Sequence, residues 1–206
     1  MQVTKKDVVT KAIALSDALK IYVNAENALK AELKAADKAR ATNNFGESDN
    51  ITNRAKAAFQ HAINGLDDKV SKSSSDFETC INTWNNQADV NDQLITSATQ
   101  IIAATGKSTP HSILDALIDS AQSPCQLDYL RALFVSNKLT IFVMKVDEKM
   151  LQVKPSFTSS GCAAGIYMVC KHGTVMDGVT KQINKAINEL SEIIENFSNG
   201  GNNENE

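Results

Sequence analysis

An apolar stripe runs through the first forty residues of the chain. Its positions alternate in steps of four and three: Val8, Ala12, Leu15, Leu19, Tyr22, Glu26, Leu29, Leu33, Ala36 and Arg40. Eight of these ten residues are apolar, and Lys, Asp, Glu and Asn are frequent between them. A 3.5-residue period of this kind is typical of a long helix that buries one narrow face against other helices. The pattern predicts a first helix from Thr4 or Asp7 to about Thr42.

A second stripe follows the turn residues Asn43-Asn44-Phe45-Gly46. Its members are Ala55, Phe59, Ala62, Leu66, Ser73, Phe77, Cys80 and Trp84, with Val70 beside them. Because only a short turn separates two stripes of similar length, we predict an intramolecular antiparallel hairpin. The serine run at 71–75 gives two equal alternatives for this second helix, which either continues or breaks at 72–75.

The remainder of the chain predicts further helices. Ser123-Pro124 with Gln126 has the form of a capping box, and it precedes an apolar stripe that we expect to face inward. The stripe consists of Leu127, Leu130, Phe134, Ile141, Met144 and Leu151. A buried strand at LTIFVMKV is the alternative, but the length of the pattern favours one long helix that ends before Pro155. The last helix is predicted to begin near Thr174 and to end at Gly200.

These elements define the predicted fold class and domain organisation. We expect an all-α protein, an elongated antiparallel helical bundle built on the long N-terminal hairpin. With 206 residues, of which 42% are hydrophobic, the chain is long enough for one sizeable core. A single domain over 1–198 is therefore predicted. The residues 199–206 contain no apolar side chain and are predicted to form a disordered tail.

The cysteines help to decide whether the protein is intracellular or extracellular. There are four of them: Cys80, Cys125, Cys162 and Cys170. Their even number and the absence of a two-residue spacing favour two disulfides over a zinc or redox motif, with four free thiols as the alternative. The preferred pairing is Cys80 with Cys125 and Cys162 with Cys170, although two cysteines on one helix at this spacing would be too far apart to bridge. Disulfides predict an extracellular protein, and since the N-terminus shows no signal peptide, we expect that one was removed.

Charge and hydropathy narrow the classes of partner. The formal net charge is −3 at pH 7, and basic residues alternate with acidic ones, which disfavours nucleic-acid binding. No apolar run approaches the roughly 20 residues of a transmembrane helix. Two N-x-[ST] sequons, at Asn50 and Asn196, are candidate glycosylation sites.

Motifs for catalysis are scarce. The sequence has no Gly-rich phosphate loop, nucleophile elbow or H-E-x-x-H helix, and we predict no catalytic residue, no cofactor and no metal site. Cys162, Cys170 and His172 fall within eleven residues, but their spacing matches no zinc site. Glu26 is the one acidic residue in the middle of the first stripe, and it is the first place in that helix to look for a function.

The first functional hypothesis is therefore a secreted, non-enzymatic bundle that binds a protein or surface partner, as a monomer or weak dimer. A second is a carrier of an apolar small molecule or lipid between helices. Its candidate pocket lining is Phe134, Ile141, Phe142, Met144 and Tyr167. A third is an intracellular coiled-coil scaffold.

Overall fold

A computed structural model describes residues 2–87, 93–157 and 160–199. In these ranges the chain forms nine α-helices, a 3-10 turn at Gly106–Ser108 and no strand, so the all-α prediction is confirmed. The helices are α1 (Lys5–Ala41), α2 (Phe45–Ile63), α3 (Leu66–Asn86), α4 (Gln93–Thr105), α5 (His111–Ser120), α6 (Pro124–Ser136), α7 (Thr140–Val153), α8 (Ser160–His172) and α9 (Asp177–Asn199).

The backbone contacts divide the chain into two compact units. The first unit comprises Met1–Val8, Thr79–Ser156 and Asn196–Glu206, and the second comprises Val9–Glu78 and Phe157–Glu195. The predicted single domain over 1–198 stays a prediction. Of the predicted disordered tail, 200–206 lies outside the described residues.

The stripe of α1 is buried as its period predicts. Eight of its ten positions have buried side chains, including the acidic Glu26, whereas Leu33 is partly exposed and Arg40 is exposed. Burial of the apolar members against neighbouring helices stabilises α1, at roughly 1.5–3 kcal/mol for each large side chain. The local sequence pattern therefore identifies the inward face of α1.

In the second unit α1 and α2 run antiparallel, so the predicted hairpin is confirmed only for the first part of its second arm, up to Ile63. Contacts between the two helices follow opposite orders along the chain: Arg40 with Asp49 at 3.6 Å, Glu32 with Arg54 at 2.8 Å, and the rings of Tyr22 and Phe59 with centroids 6.3 Å apart.

The predicted second helix is two helices, and its break is not at 72–75. The chain turns at Asn64-Gly65, where Gly65 has a φ of 68°, a conformation that glycine adopts without the steric cost of a Cβ. The serine run lies inside α3, and Ser74 is buried there. Near the end of α2, Ile63 is buried and Ala62 is exposed, so the stripe assignment of Ala62 is wrong.

The first unit has its own hydrophobic core, supplied mainly by α4 to α7. Helix α6 packs on α4 and α7, and α5 packs on α4 and α7. The capping box predicted at Ser123 is present, with Ser123 and Gln126 bonded reciprocally. The core residues are Ala98, Ile102, Leu114, Leu117, Ile118, Ala121, Leu127, Leu130, Phe134, Phe142 and Val146.

The single long helix predicted after Ser123 is wrong. Helix α6 ends at Ser136, and a turn at Asn137-Lys138, with Lys138 at a φ of 57°, separates it from α7. The turn resets the helical phase, so Phe142 and Val146 face the core while Ile141, Met144 and Leu151 are exposed. The inward stripe predicted for this segment therefore holds only up to Phe134.

The predicted disulfides are not formed, because all four cysteines are free thiols. Cys162 and Cys170 share helix α8, which places them about 12 Å apart along its axis at 1.5 Å per residue, beyond the reach of a disulfide. Each thiol instead donates to a backbone carbonyl: Cys162 to Gln182 at 3.5 Å and Cys170 to Ile63 at 3.4 Å. Burial raises the pKa of both thiols, which favours the protonated, unreactive form.

Candidate functional site

The residues predicted to line a pocket have different environments. Phe134 and Phe142 are buried in the core of the first unit, where their rings meet edge to face with centroids 6.1 Å apart. Ile141 and Met144 are exposed on α7, and Tyr167 is exposed on α8 of the second unit. The pocket formed by these five residues stays a hypothesis, since only the two phenylalanines are seen in contact.

The solvent side of α7 carries three large apolar side chains. Ile141, Met144 and Leu151 are 64%, 63% and 82% exposed. At 100° per residue they fall within one third of the helix circumference, with Glu148 between them. We call these four residues the outer face of α7.

Charges beside the outer face are paired. Lys145 Nζ lies 2.5 Å from an oxygen of Asp115, and Arg131 Nε lies 2.6 Å from Asp147 Oδ1. Among the residues that the structure describes, Glu148 forms no such ion pair. The outer face therefore presents an apolar surface with one uncompensated carboxylate.

A cavity of about 390 Å³ lies in the first unit. Charged, uncharged polar and apolar side chains all line it, and the charged ones are two lysines and one aspartate. The lining residues are Lys5, Asp119, Ser120, Ala121, Gln122, Lys149, Gln152, Val153, Asn196 and Phe197. Trp84 contacts two of the apolar lining residues. Its Nε1 donates to the Val153 carbonyl at 3.0 Å, and its ring lies edge to face with the Phe197 ring at a centroid distance of 5.6 Å.

Lys149, which lines this cavity, caps the C-terminal end of α5. Its ammonium donates to the carbonyls of Ile118 at 2.7 Å and Asp119 at 2.6 Å, where a cation also interacts favourably with the helix dipole. Burial lowers the pKa of Lys149, the Asp119 carboxylate opposes that shift, and the charge of Lys5 adds to it. Lys5 in turn donates to Gln122 Oε1 at 3.2 Å.

Glu26, singled out by the sequence, lies in a buried polar cluster of the second unit. It is 1% exposed, its Oε2 accepts from Thr180 at 2.7 Å, and its Oε1 lies 2.5 Å from Lys30 Nζ. The sequence left open whether Glu26 sits at a frayed edge or pairs with a base, and the structure shows the pair. The cluster explains how α1 buries a carboxylate against α9.

Tyr22 belongs to the same cluster, and its hydroxyl makes no hydrogen bond of normal geometry to a described residue. Burial raises the pKa of Tyr22 and the Glu26 carboxylate raises it further, while Thr180 and the Met176 backbone lie near enough to oppose the shift.

The raised pKa of Tyr22 predicts that the stability of the protein depends on pH in the alkaline range. Its pKa is raised above 10.0, so the unfolded chain ionises first, and the contribution of Tyr22 to stability is complete below pH 10 and lost as the pH rises further. We expect Tyr22→Phe to remove that loss, because phenylalanine does not titrate. At pH 7 the substitution should change the free energy of unfolding by less than about 1 kcal/mol, since an unpaired hydroxyl contributes little. Urea unfolding of both proteins at pH 7 and 10.5 measures this; equal losses at pH 10.5 would contradict it.

The sequons and histidines are at or near the surface. Asn50 on α2 and Asn196 on α9 are exposed, and their glycosylation stays a prediction. His61 and His172 are exposed, and the ring of His111 contacts Phe142 at a centroid distance of 5.1 Å. Within the described ranges, no group of three or more His, Cys, Asp or Glu is arranged to hold a metal ion. No helix in those ranges has the length and apolar character needed to cross a membrane.

Comparison of the chain with protein-family models, with curated proteins and with solved structures finds no match.

The sequence pattern predicts neither the outer face of α7 nor the cavity of the first unit. The sequence pattern places Leu151 in the inward stripe, whereas the turn at Asn137-Lys138 exposes it, and the asparagine of that turn is a recognisable turn signal in the sequence. The cavity had no sequence signal, because its lining comes from four separate segments of the chain.

Proposed function

We propose that the protein is a non-enzymatic interaction module whose outer face of α7 binds a basic amphipathic helix of a partner protein. The observation that carries this proposal is the exposure of Ile141, Met144 and Leu151 on one side of a helix whose other side is buried in the core. Clustered exposed apolar side chains are the usual mark of an interaction surface. Helix-on-helix docking uses apolar anchors at this spacing.

The charge of the outer face selects the partner. Glu148 lies among the three apolar residues, so docking removes water from its carboxylate, and a Lys or Arg on the partner would compensate that cost. The same carboxylate disfavours an anionic membrane surface. The chemistry that fits is a helix with an apolar stripe flanked by basic residues.

A second copy of this chain fits the outer face less well. In an antiparallel pairing of two α7 helices that places Ile141 opposite Leu151, Glu148 lies opposite Met144. Each carboxylate would then enter the interface opposite an apolar Met144, and the adjacent Lys145 is already paired with Asp115. A basic partner helix has no such penalty. Because three apolar side chains make a small patch, we expect weak, transient binding.

The expectation of an extracellular location rests on disulfides, and the free cysteines remove that support. The proposal therefore concerns the docking surface and not the compartment.

A designed amphipathic helix with leucines in one stripe and lysines beside it is a direct probe of this surface. Titrated into labelled protein and followed by NMR, it should shift amide signals of α7. Leu151→Glu should weaken binding at least tenfold, since burial of one leucine contributes roughly 1.5–3 kcal/mol and a tenfold change needs about 1.4 kcal/mol.

Met168→Glu is the matched control, because Met168 is also an exposed apolar residue but lies on α8. It should leave the affinity unchanged. The proposal fails if Leu151→Glu binds the peptide as tightly as the native protein while remaining folded, or if the shifted signals lie away from α7.

A further inference from the structure

The lining of the cavity in the first unit contains both cationic and apolar side chains. Lys5 and Lys149 place two ammonium groups on its lining against the single carboxylate of Asp119. No other charged residue of the described ranges belongs to this lining. Positive charges on this lining therefore outnumber negative ones by two to one, in a protein whose formal net charge is −3.

We propose that this cavity binds a small amphiphilic carboxylate, a medium-chain alkyl or aryl monocarboxylate, with its headgroup held by Lys5 and Lys149. The proposal concerns a small-molecule site and is independent of the docking surface on α7. At about 390 Å³ the cavity is within the 300–1,000 Å³ typical of small-molecule sites.

The electrostatics of the two lysines favour an anion. Like charges near each other in a partly buried place repel, and a bound carboxylate relieves that repulsion. The ammonium of Lys149 has three N–H donors, and the carbonyls of Ile118 and Asp119 accept from it. Two acceptors leave one donor for a ligand, and a charge-assisted hydrogen bond to a carboxylate is among the stronger kinds.

The rest of the lining indicates what the anion carries. Ala121, Val153 and Phe197 form an apolar part, which would gain nothing from contact with inorganic phosphate or another fully hydrated ion. An alkyl or aryl group removes that surface from water at about 25 cal/mol per Å². Gln122 and Asn196 supply amide groups that can donate to the second carboxylate oxygen.

The single tryptophan is placed to report binding. Trp84 is the only tryptophan of the chain, and it contacts two lining residues, Val153 through its indole N–H and Phe197 through its ring. Binding against those residues should change its fluorescence. No label is needed.

The experiment titrates octanoate into the full chain and follows Trp84 fluorescence. We expect saturable binding, at least tenfold weaker for octanol, which lacks the charge, and none for octylammonium, which reverses it. Acetate, which has the charge but no apolar body, should also bind at least tenfold more weakly.

Three variants locate the site. Lys5→Gln should weaken octanoate binding at least fivefold, and Asn196→Asp, which adds a negative charge to the lining, should do the same. Lys107→Gln makes the same charge change at an exposed lysine of the first unit outside the cavity, and it should leave binding unchanged. Lys149 is left intact because it also closes the end of α5. Thermal unfolding checks that each variant is folded.

Three results would overturn the proposal. One is no saturable binding of octanoate at millimolar concentration, in which case the lysines serve the end of α5 and the surface only. Another is equal affinity for octanoate and octanol, which means a merely apolar site. The last is an equal effect of Lys5→Gln and Lys107→Gln, which means non-specific attraction of an anion.

Discussion

Replacing Phe134 with alanine is expected to lower the free energy of unfolding by about 4 kcal/mol, a large share of the roughly 5–15 kcal/mol that stabilises a typical protein. Phe134 is fully buried and contacts the Phe142 ring. It belongs to the hydrophobic core that helices α4, α5, α6 and α7 share. Alanine removes the apolar surface of the ring and leaves a cavity that well-packed neighbours fill only in part.

Ile141→Ala is the matched comparison, because the sequence pattern predicts the same pocket lining for Phe134 and Ile141. Ile141 is exposed, so its truncation should change the free energy of unfolding by less than about 0.5 kcal/mol. Urea unfolding of both variants measures the difference. Similar costs for the two substitutions would contradict a buried Phe134 and an exposed Ile141.

Replacing Lys30 with methionine is expected to cost about 3 kcal/mol. Methionine keeps the apolar stem but removes the charge, and the buried carboxylate of Glu26 then loses its cation. Buried charges that lose their partner destabilise proteins by roughly 3–5 kcal/mol, and the lower end applies because Lys30 itself is 55% exposed.

A double-mutant cycle isolates this pair. In a Glu26→Gln background no carboxylate remains to be stranded, so Lys30→Met should cost less than about 1 kcal/mol there. Lys20→Met is a surface control, since Lys20 and Asp17 are 3.7 Å apart and both exposed, and it should cost less than about 0.5 kcal/mol. If Lys30→Met costs no more than Lys20→Met, the buried pair is not present in solution.

The faces of the helices were predictable from sequence wherever one uninterrupted period governs a helix. The stripe of α1 extends over ten positions, and its side chains must all face the same way, so a local pattern defines a tertiary face. The capping box at Ser123 was equally local, because its two bonds join residues three apart.

The breaks were harder to predict because they depend on small differences in free energy. A serine in a helix costs only about 0.5 kcal/mol relative to alanine, and burial of Ser74 and its apolar neighbours in α3 outweighs it. The actual break is at Asn64-Gly65, a turn dipeptide whose glycine takes a left-handed conformation. The missed turn at Asn137-Lys138 shifted the predicted face beyond it, as at Leu151, whereas beyond Asn64-Gly65 the predicted Leu66, Phe77, Cys80 and Trp84 are still buried.

The candidate sites were the least predictable part. The cavity brings Lys5 beside residues more than a hundred positions later, and no local pattern encodes that contact. The outer face of α7 has an apolar composition that a buried helix would share, and only the packing of α7 on α5 and α6 shows which side remains exposed.

The central claim, that the outer face of α7 docks a basic helix, is tested most directly by reversing its charge. Glu148→Lys should reverse the preference between two designed helices that share one leucine stripe but carry lysines in one case and glutamates in the other. Affinities measured by NMR titration should favour the basic peptide for the native protein and the acidic peptide for the variant, by at least fivefold each. An unchanged preference in the variant, or equal affinity of the native protein for both peptides, would contradict the account.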